Sequence, residues 1–289
     1  MDRAVRGRGR PPAEAVALSD ILAGHASDAE LLAEIYDLEH DEIDEDLAFY
    51  REWARRSPGN VIDLGCGSGR LFEPLLAGGA TRIVGVDGSP SLLDRASERI
   101  RSHASLREAH ARGRIELIVR DVRHVRRPER FALAIMAGVI SHLDGPEDAL
   151  CALTAARRLL EPGGTLIVDV LGPRGLPPHD LPLSLDWERA MGDRRVVRRS
   201  RLDRRATPEG LRVAYATLTD VVRADGTIAR LPASFRLWYP TAAALVALAG
   251  EAELAVVAAY GSHDLDGLDG DSERCIVVAR PMAVLPETE

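Results

Sequence analysis

The chain has no lysine, no glutamine and a single asparagine, Asn60, so all 37 of its basic side chains are arginines. Without lysine, Schiff-base chemistry and a lysine general base are excluded. Cysteine is scarce: Cys66, Cys151 and Cys275 are scattered, with neither disulfide nor zinc spacing, which suits a reducing compartment. No apolar run approaches the ~18 residues needed to cross a bilayer. No apolar signal-like core follows the basic N-terminus. These absences point to a cytoplasmic chain with no membrane partner. The net charge of −8 gives the whole protein no general attraction to nucleic acid. With 289 residues, 46% apolar and 28% charged, the chain can build a full core, as one large domain or as a domain carrying an insert.

Against that background one stretch carries chemistry. Val61-Ile62-Asp63-Leu64-Gly65-Cys66-Gly67-Ser68-Gly69-Arg70 is a short apolar strand that breaks into alternating glycines and then a helix. Val84-Gly85-Val86-Asp87 follows as a second strand ending in a carboxylate. In a doubly wound sheet that pairing builds a nucleoside site: glycines let backbone approach the ligand, and the acid accepts from both ribose hydroxyls. A dinucleotide fingerprint needs a small sixth residue, and counting from Gly65 that position is the bulky Arg70. Asp63, just ahead of the glycines, suits a cationic ligand better than a pyrophosphate.

Along the chain, residues 1–13 read as a disordered Arg/Gly/Pro tail, within which Arg8-Gly9-Arg10-Pro11 matches the core of a minor-groove arm. Helices are predicted over 14–24, 28–39 and 42–56, a helical cover spanning 14–58. Strands and helices then alternate: strand 60–64, helix 68–77, strand 81–86, helix 90–104, strands 114–119 and 131–137, helix 146–160 and strand 164–171. Residues 172–186 are rich in Pro and Gly, and 194–238 read as long strands joined by turns, so 172–238 is expected to be an antiparallel insert of three or four strands. Helix 241–250 and strands 254–260 and 274–280 close the core (59–171 and 239–281), before a short tail, 282–289. The alternation argues an α/β fold with a parallel sheet covered on both faces.

The D-x-G-x-G-x-G turn followed by Asp87 resembles motifs I and II of class I S-adenosylmethionine-dependent methyltransferases of the bacterial small-molecule type. The resemblance implies a doubly wound seven-stranded, Rossmann-like sheet with N-terminal helices and the β-insert after strand five. It implies S-adenosyl-L-methionine as cofactor, held near its methionine end by Asp63 and by Gly65, Gly67 and Gly69. Asp87 and Gly88 would flank the ribose, Asp121 and Val122 would read adenine, and Ala137 and Gly138 would line the donor pocket through backbone atoms. Tyr36 looks like the lid tyrosine that meets the methionine carboxylate, which Arg70 could also reach. Each has a plainer reading: Asp121 as a turn former, Gly88 as a turn glycine, Tyr36 as core, Arg70 as exposed.

His142, after strand four, is the catalytic candidate, either a proton acceptor or a ring packed on the cofactor. Tyr50, Trp187 and Tyr239 are candidates for the acceptor wall, with Trp238 assigned to the core. Of the arginines between Arg194 and Arg205, most fit a solvated face. Tyr260-Gly261-Ser262-His263-Asp264 replaces the family's Tyr-Gly-Asp-Phe-like stretch, so no role is carried over. No acidic or histidine cluster of metal-ligand spacing is read at the ends of strands four or five, so no metal is expected. The function implied is methyl transfer to O, N or C of a small-molecule acceptor, in bacterial specialised metabolism. Open beside it stand a methyltransferase of RNA or protein, and a fold relative that binds the cofactor without transferring methyl. Oligomeric state is unread, and a homodimer is compatible.

Overall fold

A computed structural model describes residues 26–282, so the predicted tail, the minor-groove match and the helix over 14–24 lie outside the described residues. Two helices open it, α1 (Ala26–His40) and α2 (Leu47–Arg56). The core follows as β1 (Asn60–Leu64), α3 (Phe72–Ala77), β2 (Arg82–Asp87), α4 (Pro90–Ser102), α5 (Ala104–Ala111), β3 (Ile115–Val119), β4 (Phe131–Ala137), α6 (Pro146–Leu159) and β5 (Leu160–Leu171). Four long strands form the insert: β6 (Leu181–Met191), β7 (Arg194–Thr207), β8 (Gly210–Val222) and β9 (Ile228–Pro240). The chain closes with α7 (Ala242–Glu251), β10 (Leu254–Tyr260) and β11 (Arg274–Pro281).

The main sheet runs β10-β11-β5-β4-β1-β2-β3. Strands β1 to β5 are parallel to their neighbours, while β11 lies antiparallel between β5 and β10. Helices cover both faces, which is why the central strands read as continuous apolar runs. Alternate residues divide the core. Ile62, Val84, Ala134 and Val168 pack towards α6 and α7. Val61, Ile83, Leu133 and Ile167 pack towards α2 to α5. Asp63 and Asp169 share the parity of the second set and so rise on that face.

The insert is a separate antiparallel sheet, β6-β7-β8-β9, in which β7 and β8 keep continuous register from Arg195↔Val222 to Thr207↔Gly210 while the β6–β7 pairing shifts register twice. It seals against α1: Leu31 and Ile35 pack on Val196, Val221 and Leu231. Arg194 pairs with Glu34 at 2.6 Å, and Arg198 pairs with Glu39. Helix one and the insert therefore form one wall.

The structure differs from the sequence reading at four places. Residues 41–46 are turns rather than the start of α2, and the glycine loop runs on to Leu71 before α3 begins. The predicted helix 90–104 is two helices broken at His103, whose backbone is extended (φ −96°, ψ 124°). Strand β6 occupies part of the stretch read only as Pro- and Gly-rich, and it makes the insert four-stranded.

Candidate active site

The loop after β1 turns through three left-handed glycines: Gly65 (φ +82°), Gly67 (φ +54°) and Gly69 (φ +77°). A side chain at Gly65 would collide with Val139, and one at Gly67 would come within 3.0 Å of the Tyr36 hydroxyl. The bare backbone is thus required both by conformation and by close approach. Amides of Gly65 and Cys66 donate to the Val86 carbonyl (2.7 and 3.0 Å), tying the loop to the second strand.

Asp87 stands at the tip of β2. Its Oδ2 accepts from the Gly67 amide at 2.9 Å, and its Oδ1 from the Ser89 amide at 2.8 Å. Burial raises its pKa above the ordinary carboxylate value, and those amides offset part of the rise. Gly88 beside it leaves open space where a Cβ would stand.

Asp63 is 2% exposed, and its Oδ2 is buried with no hydrogen-bond partner among the described residues. Burial, reinforced by Asp87, pushes its pKa up to about 7, and Arg70 opposes the rise. An orphaned buried carboxylate calls for a cation, which the ammonium and sulfonium of S-adenosylmethionine supply. The residues present therefore fit that group.

Tyr36 rises from α1 against Gly67, and its hydroxyl has no protein partner among the described residues. Burial, then Asp87, push that hydroxyl up to about 12, so it stays a donor. Its ring stacks on His40 (centroids 4.0 Å apart, 19° between planes). His40 Nδ1 donates to the Tyr36 carbonyl at 2.8 Å. Arg70 is committed elsewhere: it forks onto Asp46 (2.7 and 2.6 Å) and donates to the Ile43 carbonyl at 2.9 Å. It pins the lid linker over the loop, with half-buried, ion-paired surroundings in place of the exposed position allowed by the plainer reading.

Asp121 caps the short turn Val122–His124 by accepting from the Arg123 amide at 2.9 Å. Its carboxylate is also gripped by the Arg123 guanidinium, 2.5 Å at the nearest, and that pairing lowers its pKa. This is the turn-forming alternative, with adenine left to any free lone pair. Val122 is buried beneath it. Ala137 ends β4, and Gly138 follows at φ +73°, its amide donating to the Asp169 carbonyl at 2.8 Å.

His142 sits in the turn Ile140–His142. It is exposed to solvent, yet protein crowds around it. That crowding lowers its pKa, and neighbouring His40 pushes the same way. No hydrogen bond among the described residues orients its ring.

The acceptor-wall candidates are sorted by the structure. Tyr50 is a correction: it is 0% exposed, and its hydroxyl donates to Asp169 at 2.7 Å, so it supports the wall from behind. Trp187 packs on the seam between insert and α1, with the Arg189 guanidinium 5.3 Å from its ring centroid. Tyr239 is half-buried on β9 near Tyr215 and Arg274, its hydroxyl pushed up to about 12 mainly by burial. Trp238 is core.

A cluster that the sequence did not point out stands at the end of β5. Asp169, 1% exposed, gathers three side chains there. Besides Tyr50, His263 Nε2 lies 2.9 Å from Oδ2, and Arg274 donates to Oδ1 through Nε (2.9 Å) and Nη2 (2.6 Å). An acid and a histidine do meet at that strand end. Burial works to raise the Asp169 pKa, but His263, Arg274 and Tyr50 outweigh it and hold it low. With the guanidinium on one oxygen the pair is no metal site, and no group of three or more metal-ligating side chains occurs among the described residues. A recess of about 460 Å³ between α1, α4 and the insert is lined by Glu34, Asp37, Asp41, Arg95 and Arg194 among others, with no glycine-loop residue in its lining.

Fold and site together define a class I methyltransferase domain. Residues 61–164, which carry the glycine loop and Asp87, match the family described as "Methyltransferase domain" and are of the class I S-adenosylmethionine-dependent type. The trans-aconitate 2-methyltransferase of Streptomyces avermitilis is 29% identical over 143 residues, 48% of this chain and 50% of that protein. The chain thus matches about half the length of that relative. The CcbJ methyltransferase structure from Streptomyces caelestis superposes with a TM-score of 0.64 at 23% identity, covering 84% of this chain and 95% of that one. The sugar N-methyltransferase KedS8 from Streptoalloteichus sp. superposes at 0.65 and 16% identity, covering 98% and 100%. At these identities the two structures speak to the fold. No helix among the described residues is long and apolar enough to cross a membrane.

Proposed function

We propose that this chain transfers a methyl group from S-adenosylmethionine to O, N or C of a small-molecule acceptor, without a metal, in bacterial specialised metabolism. The observation that carries the reading is the closed wall of α1 and insert. The apolar seam of Leu31 and Ile35 against Val196, Val221 and Leu231 joins the two, and both reach the strand tips: α1 meets the loop after β1 at Tyr36 and Gly67, and β8 meets the loop after β4 at Arg212 and Asp144. In a doubly wound sheet that is where ligands bind. A space covered from both sides favours a compact acceptor over a polymer, and the negative net charge disfavours RNA.

When bound, S-adenosylmethionine supplies an electrophilic methyl on a sulfonium, an excellent leaving group. In this reading Asp63 faces the ligand's positive charge, Gly65, Gly67 and Gly69 give it room, and Asp87 holds the ribose. Tyr36 offers a hydroxyl to the methionine carboxylate, while Ala137, Gly138, Gly88 and Val122 contribute backbone surface. Tyr239 and the inner face of the insert wall the acceptor. His142 lines the same cleft, as a proton acceptor or as a ring against the ligand. The chain's contribution is positioning and exclusion of water, which can account for several orders of magnitude in rate.

The test is incubation of the full chain with S-adenosylmethionine and a panel of small amines, amino sugars, hydroxy acids and phenols. Formation of S-adenosylhomocysteine with gain of one methyl by one compound supports the reading. Turnover of tRNA or a protein alone, or cofactor binding with no acceptor methylated, contradicts it.

A further inference from the structure

We propose that His263, held by Asp169, is the proton acceptor of the transfer reaction; the inference rests on the methyltransferase reading above. Asp169 Oδ2 lies 2.9 Å from His263 Nε2. An ionised carboxylate can only accept, so Nε2 carries the hydrogen and Nδ1 presents its lone pair. Nδ1 has no hydrogen bond among the described residues and is not one of the buried unpartnered atoms, so it meets open space. A buried acid that fixes the tautomer of an imidazole with one free nitrogen is the arrangement general-base catalysis needs.

Position supports the assignment. Asp63 and Asp169 rise on the same face of the sheet, two strands apart: Asp63 is level with Ile135, Ile135 with Ile167, and Ala137 with Asp169. Strand spacing and rise put the two Cα atoms roughly 12 Å apart. The histidine thus stands on the side of the sheet that carries the cofactor carboxylate, displaced towards β5 and the insert. Arg274, on the other oxygen of Asp169, also acts electrostatically on Tyr239, the insert residue assigned above to the acceptor wall.

His142 is the weaker candidate on the same criteria. Nothing orients its ring, and its neighbour His40 opposes its protonation. The groups around His263 are Asp169 from β5, Arg274 from β11, and Tyr50 and Phe49 from α2; Asp264 and Asp266 follow it on its own loop, the latter bonded to Ser262.

The step balances for an acceptor bearing N–H or O–H. The heteroatom lone pair forms the bond to the methyl carbon as the carbon–sulfur bond breaks, its electron pair leaving on sulfur. The acceptor proton passes to His263 Nδ1, and the electrons of the broken N–H or O–H bond stay on the heteroatom. The imidazolium then loses its proton to solvent.

The experiment compares wild type, His263→Gln and His142→Gln. Glutamine keeps an N–H for Asp169 but has no basic lone pair. With the acceptor found in the panel, His263→Gln is expected to lower kcat about 100-fold and to erase the acid limb of the kcat profile. S-adenosylhomocysteine affinity and Tm should hold, and His142→Gln should keep the limb. Retention of kcat and limb by His263→Gln overturns the proposal. Independently, nitrogen NMR of ¹⁵N-histidine wild type should find the His263 hydrogen on Nε2; a hydrogen on Nδ1 overturns it equally. That arm needs no acceptor, so failure of the methyltransferase reading and failure of the His263 assignment are read separately.

Discussion

Tyr36 and Gly67 stand in contact across the boundary between the N-terminal helices and the nucleoside loop: a Cβ on Gly67 would come within 3.0 Å of the Tyr36 hydroxyl. The lid is built against bare backbone. Gly67→Ala is therefore expected to lose on two counts, about 1 kcal/mol or more for a left-handed alanine and a further loss from displacing Tyr36. S-adenosylhomocysteine affinity should fall at least tenfold by calorimetry. Tyr36→Phe, which removes only the donor, should cost less than Gly67→Ala.

Asp87 holds two backbone amides of the loop and is the reading's ribose ligand. Asp87→Ala should weaken S-adenosylhomocysteine binding about a hundredfold or more, since two charge-assisted hydrogen bonds are worth ~1.5–3 kcal/mol each. An unchanged Kd in the same titration would remove Asp87 from the ribose role.

Asp63 makes the cofactor-free protein pH-sensitive. Its folded pKa of about 7 lies above the ordinary value of 3.8, so the folded state holds a proton that the unfolded state releases. Its contribution to stability is then most favourable below pH 4 and declines as pH rises through 7, by up to about 4 kcal/mol. Asp63→Asn should accordingly raise the Tm of the cofactor-free protein at pH 8 while weakening S-adenosylmethionine binding. Wild-type binding should strengthen as pH rises through 7, with proton release detectable by calorimetry in buffers of different ionisation enthalpy.

Arg70 and Asp46 form a forked pair in which Asp46 is 5% exposed. Removing the cation leaves that acid uncompensated, so Arg70→Ala should destabilise the fold by up to about 3 kcal/mol in denaturant unfolding. Arg70→Lys, lacking the fork, should recover only part of the loss.

Much of the fold was legible because its signals are local. Strands buried on both faces read as apolar runs, and the left-handed turns of Gly65, Gly67 and Gly69 need glycine in any context. Helix α5 was missed because His103 breaks the backbone with neither a glycine nor a proline to mark it, only its own ring and Ser102 bonding the Arg99 carbonyl. Strand β6 was missed because it is an edge strand with Leu183 and Leu185 exposed, leaving no buried alternation to read. The cluster on Asp169 was invisible for a different reason. His263 and Arg274 lie 94 and 105 residues away in sequence and meet Asp169 only because β11 returns beside β5. An acid within the apolar run Leu166–Val170 was the one available hint. Arg70 and Tyr50 were noticed as residues, but their partners Asp46 and Asp169 could be found only in three dimensions.

The most direct test of the account is a titration of the full chain with S-adenosylhomocysteine and, separately, with NAD. Asp63 as an orphaned buried acid, Arg70 at the position a dinucleotide site keeps small, and Asp87 on the loop amides all require the first ligand to bind and the second not to. Saturable heat with S-adenosylhomocysteine, lost in Asp87→Ala, and none with NAD is the expected result. Heat from NAD and none from S-adenosylhomocysteine would contradict the account at its base.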